Sequence, residues 1–374
     1  MKIGTLSLNI NTPDYNYGAM LHSYSFILFL KKYNNYIESA EIIDYKTQSV
    51  VDYKRIIEVP NSKKRNKIRD IITLSRMKYS YWLRHYKFRK FVRNNMIVSK
   101  KKYKSFEISN AALPYDCLIC ESDVIWSPLI SGGRLDPAFF FNFPNMKNKL
   151  KIAYSPSLGN GIYDKQHEND LKKYLKSLDY ISCRESYAVD ILKKYTNKEV
   201  IHVLDPVMLL EGDEFNNIIG KPMTNKKYIM LYLPVNNNPK LRKHAESYAK
   251  KYNCKIIEIS TKLIKKRSDF NTIIPDAGIE EFLSCLKHCE CVFTNSFHAV
   301  CFSILFKKEF YAFSRKYGGK VEDFCNIMGL SNRYFADDNF EEQKRINWKK
   351  IYNNLSRYRI QSIKYIENAL QIKK

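Results

Sequence analysis

One histidine stands at the start of an apolar helix, directly after an apolar strand. It is His298 in the stretch TNSFHAVCFSILF, where Asn295 or Ser296 can cap the helix. Free backbone N–H groups and the positive dipole end of a helix start attract phosphate or carboxylate. The dipole favours a neutral imidazole in an empty site and a bound anion favours the imidazolium, so His298 could give or take a proton on ligand binding. The alternative is a structural histidine bonded to a nearby backbone carbonyl.

An arginine follows another predicted strand, in ISCRESYAVDILKK. The Arg184 guanidinium precedes a helix, where it could fork onto two oxygens of a phosphate or carboxylate. Pairing with Glu185 or with the following helix explains it equally well. These residues alone leave both interpretations open.

Two more polar segments follow predicted strands. In ESDVIWSP, Ser122, Asp123 and Trp126 could offer a sugar a hydroxyl, a carboxylate and a flat apolar face, although a capped turn with a packed tryptophan is the alternative. In NYGAM, Asn16 lies beside a glycine, Gly18, that permits close approach of the backbone to a ligand.

Several common sites are not indicated. The sequence has no GxGxxG, GxxxxGK[ST] or GxSxG motif, which removes the simplest dinucleotide, P-loop and hydrolase interpretations. Cys117 and Cys120 form a CxxC, but a strand would send them to opposite faces, and the crowded 288–291 segment bridges a helix end and a strand. We therefore predict no metal site. Nine scattered cysteines without a signal peptide indicate a reducing cytoplasm.

The elements that must position these residues alternate along the chain. Apolar runs predict strands at 2–9, 40–45, 115–121, 150–155, 179–183, 199–204, 227–234, 254–260 and 289–294. Helical patterns fall at 17–32, 63–95, 238–251, 278–288 and 341–374.

This alternation predicts two Rossmann-like α/β domains that face each other across a cleft. We place the first domain at 1–210, with a basic helical insertion at about 54–104, and the second at 225–340. A long C-terminal helix, 341–374, would pack back on the first domain. Ligands of such sheets bind at the carboxyl ends of the strands, so the four polar segments should converge there.

The charge is unevenly distributed. The chain carries a net charge of +25, and the segment 54–104 holds 18 lysines and arginines against two acidic residues, Glu58 and Asp70. Such a block implies an anionic partner: nucleic acid, acidic lipid or a phosphorylated substrate. No run of about 18 apolar residues predicts a spanning helix.

Taken in order, seven segments resemble the polysaccharide pyruvyl transferase family, from Met1 to about Phe313. They are NYGAMLHSYSFILFLKK, IIDY, YDCLICESDVIWSP, KIAYSPSLG, ISCRESYAVDILKK, LDPVMLL and TNSFHAVCFSILF. The resemblance implies a GT-B-like fold. It also implies that pyruvate passes from phosphoenolpyruvate to a saccharide as a cyclic ketal, with release of phosphate and without a metal or further cofactor, in the synthesis of a surface polysaccharide such as capsule or lipopolysaccharide.

The resemblance also implies roles by position. His298 and Arg184 match residues that hold and activate phosphoenolpyruvate. The expected donor-binding residues are Asn295, Ser296, Arg315 and Lys320, and the expected acceptor-binding residues are Asn16, Gly18, Ser122, Asp123 and Trp126.

Three positions depart from the family pattern. Glu121 replaces a small glycine, Ala299 replaces a glycine, and Ser296 stands where some branches have arginine. Other cations would have to compensate, and the downstream candidates are Arg315, Lys316, Lys320 and Arg333. A charged Glu121 would weaken binding of a trianionic donor unless it points away or pairs with a base.

The basic segment suits the anionic inner face of a membrane, where a saccharide on a polyprenyl phosphate would be the acceptor, and a solvated helical hairpin is the alternative. Two other functions stay open. A nucleotide-sugar glycosyltransferase could use the same fold, although 276–290 lacks paired glutamates seven residues apart. A nucleic-acid-binding protein is suggested by charge alone, without a recognisable motif, and we expect no nucleic-acid partner.

Overall fold

The computed structural model describes residues 1–11, 16–47, 67–234, 239–260, 271–314, 319–336 and 340–372. Within these ranges the chain forms two parallel sheets, each flanked by helices. The fold prediction of two facing α/β domains is therefore confirmed.

The first sheet contains seven strands in the order β3-β2-β1-β4-β5-β6-β7. They are β1 (Lys2–Leu6), β2 (Ser39–Lys46), β3 (Val98–Lys104), β4 (Cys117–Glu121), β5 (Leu150–Tyr154), β6 (Tyr180–Cys183) and β7 (Val200–His202). Its helices are α1 (Tyr17–Leu30), α2 (Lys67–Asn95), α3 (Ser105–Asn110), α4 (Lys165–Leu175) and α5 (Ser186–Lys193).

The second sheet contains six strands in the order β10-β9-β8-β11-β12-β13. They are β8 (Tyr228–Tyr232), β9 (Lys255–Ile259), β10 (Asn271–Ile274), β11 (Cys291–Thr294), β12 (Glu309–Phe313) and β13 (Tyr334–Phe335). Its helices are α6 (Pro239–Lys251), α7 (Ile279–His288), α8 (Phe297–Leu305) and α9 (Lys320–Met328), and the chain ends with α10 (Trp348–Ala369).

The central strand β4 shows why the sheet is covered on both faces. All five of its residues are buried. Cys117 packs into one apolar cluster and Cys120 into another, on opposite faces of the sheet. The CxxC therefore cannot bring its two thiols together, as the alternation of a strand predicts.

The edge strand β3 was not predicted. Its sequence, VSKKKYK, is polar, and only Ser99 and Tyr103 are buried. Lysines on an exposed edge discourage pairing with another chain, so part of the basic segment belongs to the sheet rather than to a helical insertion. Residues 54–66 of that segment lie outside the described ranges.

The helix α10 begins at Trp348, later than predicted, and contacts elements of both sheets. Tyr365 donates a hydrogen bond to the carbonyl of Ala153 at 2.8 Å, and Leu204 N–H donates to Ser362 at 2.8 Å. At the start of the helix, Tyr352 donates to the carbonyl of Ile304 at 3.2 Å. The domain boundaries at 210, 225 and 340 stay predictions. In the chain, the short 3-10 helices Pro206–Leu209 and Gly212–Ile218 connect β7 of the first sheet to β8 of the second.

Within the described ranges, none of the helices combines the length and the apolar composition that crossing a bilayer requires.

Candidate functional site

The carboxyl ends of both sheets meet at one buried carboxylate, Asp205, which follows β7. Its Oδ2 accepts a hydrogen bond from Ser122 Oγ at 2.6 Å and one from Arg184 Nη1 at 3.2 Å. The same oxygen lies 3.5 Å from His298 Nε2. The histidine lies on α8, which follows β11 of the second sheet, and the other residues follow strands of the first sheet, so Asp205 joins the two halves of the molecule.

The turn after β4 points Ser122 toward this carboxylate. Ser122 and Asp123 both adopt left-handed backbone conformations, with φ of +50° and +49°. Such conformations are strained for residues with a side chain, and they persist where surrounding contacts hold them. Ser122 N–H donates to the carbonyl of Tyr154 at 2.9 Å, and Asp123 Oδ1 accepts from Val124 N–H at 2.7 Å.

The start of α8 has the form expected from the sequence. Ser296 is the capping residue, and its hydroxyl accepts a hydrogen bond from Ala299 N–H at 3.4 Å. His298 lies in the first turn and is only 8% exposed. Burial lowers the pKa of His298, and the Asp205 carboxylate opposes this change without reversing it. Burial in this position therefore favours the neutral imidazole.

Arg184 is buried between two carboxylates. Its Nε donates to Glu185 at 3.2 Å, and its Nη1 donates to Asp205 at the same distance. Its guanidinium also lies 4.5 Å above the ring of Phe297 from the second sheet. Burial lowers the pKa of Arg184, but the neighbouring carboxylates outweigh burial and raise it overall. The pairing with Glu185 considered from the sequence therefore exists, and it leaves Nη2 uncommitted.

A second buried ion pair lies beside the first cluster. His22 Nδ1, on α1, lies 2.7 Å from Glu121 Oε2, and Ser23 Oγ donates to the other oxygen of Glu121. Burial alone would lower the pKa of His22, yet Glu121, Asp123 and Asp205 together raise it to about 9. Burial raises the pKa of Glu121, opposed by His22 and Ser23. The unusual Glu121 therefore pairs with a base, which removes the conflict with an anionic donor.

Three buried side-chain nitrogens face this region, and none of them makes a hydrogen bond of normal geometry to the described residues. They are Nε2 of His22, Nη2 of Arg184 and Nε2 of His298. The rings of the two histidines are nearly parallel with centroids 6.1 Å apart, and His22 Nε2 lies 3.9 Å from Asp123 Oδ2. Buried polar groups are rarely left unpaired, so this arrangement has the capacity to bind an anion with several oxygens.

The start of α1 packs directly against His298. The Asn16 side chain caps the helix by accepting hydrogen bonds from the N–H groups of Gly18 and Ala19, at 2.9 and 3.4 Å. A Cβ atom at Gly18 would overlap the His298 ring, with Nδ1 as its nearest neighbour. Gly18 and His22 are one helical turn apart, so both face His298 from the same side of α1.

We expect Gly18→Ala to lower turnover by about 100-fold, because displacing a catalytic group by about 1 Å has an effect of this size. Steady-state kinetics would measure it. Gly319→Ala is the matched control, because a Cβ atom there meets no atom closer than 3.9 Å. Equal activity of the two variants would show that the close packing of α1 against His298 does not position it.

Two residues predicted for the site lie elsewhere. Trp126 is fully buried, donates a hydrogen bond to the carbonyl of Phe139 at 3.2 Å and stacks on Phe140, so its ring cannot face a sugar. The prediction that it binds the acceptor is wrong, and the packed alternative is right. Arg333 is also buried, paired with Glu309 at 2.7 Å, and cannot replace the arginine missing at the site.

The other expected donor-binding residues differ in position. Asn295 and Ser296 are buried at the start of α8. Lys320 is the first residue of α9, and its charge contributes to a lowered pKa of Asp123, which burial alone would raise. Arg315 and Lys316 lie outside the described residues.

His22 and Asp205 were not predicted as site residues. Asp205 follows the strand β7. Ser122 and Arg184 were predicted because polar residues directly after a strand lie at the ligand-binding edge of the sheet, and the same criterion applied to Asp205. His22 lies within an almost completely buried helix, and a charged Glu121 at the end of a buried strand requires a cation. That requirement was the available signal.

A family model decides the identification. The model for polysaccharide pyruvyl transferase matches residues 16–317. The chain belongs to this family. No curated protein matches this chain by sequence.

Solved structures resemble this chain in fold. A protein described as a UDP-N-acetylglucosamine 2-epimerase from Listeria monocytogenes has a TM-score of 0.50 at 8% identity, over 99% of this chain and 90% of its own. MnaA from S. aureus, solved with UDP, has a TM-score of 0.50 at 10% identity, over 100% of this chain and 97% of its own. Such low identities show the fold alone, and the fold is GT-B-like, as predicted.

In the parts of the chain that the structure describes, no three or more His, Cys, Asp or Glu residues are grouped so that they could hold a metal ion.

Proposed function

We propose that this transferase takes pyruvate from phosphoenolpyruvate and joins it to two hydroxyls of a saccharide as a cyclic ketal, releasing phosphate. One observation carries the proposal: Arg184 and His298 reach the same oxygen of Asp205 from opposite halves of the molecule, within 3.2 and 3.5 Å. A small trianion needs several fixed cationic donors in one place, and family membership supplies the reaction class.

Asp205 would orient the two donors rather than oppose the ligand. It occupies Nη1 of Arg184, while Nη2 has no hydrogen-bond partner among the described residues. A phosphate or carboxylate oxygen can bind on that free side, with the uncapped N–H groups at the start of α8 nearby. The bound anion would raise the pKa of His298 and convert its imidazole to the imidazolium.

The reaction can then be written with all protons accounted for. A proton from the site, which we assign to His298, adds to the methylene carbon of phosphoenolpyruvate, and the first sugar oxygen forms a bond to the adjacent carbon. The C–O bond to phosphate then breaks, and the second sugar oxygen bonds to the same carbon. Of the two hydroxyl protons released, one replaces the proton given to carbon and the other leaves on phosphate. Ser122 and Asp123 stand at the turn where the sugar hydroxyls would enter. The chemistry uses no cofactor beyond the donor substrate.

Substrate entry requires the cleft to open. His298 is 8% exposed and Arg184 is 4% exposed, so neither can be reached from solvent in this arrangement. Separation of the two sheets at this point would admit the donor, and closure would exclude water during the reaction.

We place the enzyme in the cytoplasm, in the synthesis of a surface polysaccharide, with a saccharide on a polyprenyl phosphate as acceptor. The reducing environment suggested by its cysteines supports this, since all nine are free and buried.

Donor binding can be tested before the acceptor is known. We expect phosphoenolpyruvate to raise the melting temperature of the purified protein, because a ligand that binds only the folded state stabilises it. UDP, tested in parallel, should leave the melting temperature unchanged. Stabilisation by UDP alone would overturn the proposal and favour a nucleotide-sugar glycosyltransferase.

A further inference from the structure

The long helix α2 has one face packed against the protein. Phe88 and Phe91 are buried in the core, and Arg84 lies 5.0 Å above the ring of Tyr17 at the start of α1. Lys87 reaches the second sheet's domain, where it pairs with Asp276 and Glu281 at 3.1 and 2.7 Å. These contacts hold the helix across the two halves of the molecule and fix which side faces solvent.

The opposite side of α2 presents a row of aromatic rings to solvent. Tyr79, Trp82 and Tyr86 are 62%, 57% and 48% exposed. Their spacing of three and four residues places them in one row, and the Trp82 ring stacks on both tyrosines at 6.1 and 6.0 Å. Exposed aromatic rows are uncommon on protein surfaces and mark interaction sites.

Basic side chains surround this row. Lys78, Arg89, Lys90 and Arg93 are exposed, and no acidic residue occurs between positions 75 and 95. We call Lys78, Tyr79, Trp82, Tyr86, Arg89 and Arg93 the outward face of α2. Its charge is wholly positive, so its partner must be anionic.

We propose that the outward face of α2 binds the surface of an anionic lipid bilayer, with its aromatic rings at the level of the headgroups. A basic helix with tryptophan and tyrosine on its free side matches the composition of helices that lie in the membrane interface. Nucleic acid fits less well, because a single convex helix forms no groove for a strand. The proposed membrane binding depends on the outward face of α2 alone, and it does not depend on which donor substrate the enzyme uses.

The position of α2 places a membrane contact near the candidate site. Tyr17, beneath Arg84, is followed directly by Gly18, which packs against His298. A bilayer on the outward face would therefore lie one helix away from the candidate site. The use of this contact to bring a lipid-linked saccharide to the cleft rests on the proposed function.

Vesicle sedimentation with the full chain tests the binding itself. We expect the protein to sediment with vesicles of equal parts phosphatidylcholine and phosphatidylglycerol, and to remain in solution with phosphatidylcholine alone. Trp82→Ala should weaken partition at least about tenfold through the lost apolar contact. Arg89→Glu with Arg93→Glu should weaken it at least about 25-fold, since each basic residue near an anionic surface contributes about fivefold.

Matched controls separate a local face from overall charge. Lys172→Glu with Lys173→Glu makes the same change in net charge on exposed residues of α4, and Tyr36→Ala removes an exposed aromatic ring elsewhere. Both should bind vesicles as the unmodified protein does. The proposal is overturned if the α4 variant loses as much binding as the α2 variant, or if Trp82→Ala binds vesicles normally. It is also overturned if the protein binds neither vesicle type, or if it binds RNA but not vesicles. Melting temperatures of all variants show whether a loss reflects unfolding.

Discussion

We expect His298→Gln to lower the rate of phosphate release from phosphoenolpyruvate in the proposed reaction by about 100- to 10,000-fold, because a positioned acid or base contributes an effect of this size. Glutamine can still donate a hydrogen bond toward Asp205, which lies 3.5 Å from His298 Nε2, but it cannot exchange a proton. The fold should be retained, so the melting temperature should change little. Steady-state kinetics with an active acceptor would measure the rate.

His167→Gln provides the matched control. His167 Nε2 lies 2.8 Å from the carbonyl of Gly133, a contact that glutamine can also make, and His167 takes part in none of the contacts with Asp205 described above. This variant should retain full turnover. If His298→Gln also turns over at the normal rate, His298 is not the proton-transferring group.

Arg184→Ala is a poorer test of the same site. Arg184 pairs with both Glu185 and Asp205, so its removal leaves two buried carboxylates without a cation. Loss of activity could then follow from unfolding. Arg184→Lys keeps the charge and loses the forked geometry, and is the better variant.

We expect His22→Ala to lower the free energy of unfolding by about 3–5 kcal/mol, the usual effect of removing one partner from a buried ion pair. The remaining Glu121 is fully buried and would keep only the hydroxyl of Ser23 among the contacts described above. Denaturant unfolding with urea would measure the change from the midpoint and slope.

The double variant His22→Leu with Glu121→Leu is the informative partner. It removes both charges from the buried pair, so it should recover most of the lost stability. If His22→Ala alone costs less than about 1 kcal/mol, in the range of an exposed ion pair, the two groups do not form the buried pair that the structure shows.

The same pair predicts how stability depends on pH. The folded pKa of His22 is raised to about 9, above its ordinary value, so protonated His22 stabilises the folded state at neutral pH. This contribution is lost as the pH rises through about 9. The Leu–Leu double variant lacks the group and should lose less stability over that range.

Much of the fold could be predicted because its signals are local. The covered strands β4, β5 and β8 are short apolar runs between polar helices, and a parallel sheet requires that pattern. The edge strand β3 was missed since its buried residues, Ser99 and Tyr103, are separated by three lysines. An edge strand packs too few side chains to show strong alternation.

Only those residues of the candidate site that directly follow a predicted strand could be predicted from the sequence. Arg184 and His298 follow β6 and β11, and the parallel topology brings those ends together. The pair His22–Glu121 joins residues 99 positions apart, and no spacing rule reports such a contact. Trp126 lies only three residues beyond Asp123, yet the turn sends its ring into the core.

We propose that Arg184 and His298 bind one anion between the two sheets. A crystal structure with phosphoenolpyruvate bound tests it most directly. We predict oxygens of the donor within hydrogen-bond distance of Arg184 Nη2 and His298 Nε2, with Asp205 still bound to Nη1. A donor bound elsewhere, or contacting neither side chain, would contradict the account.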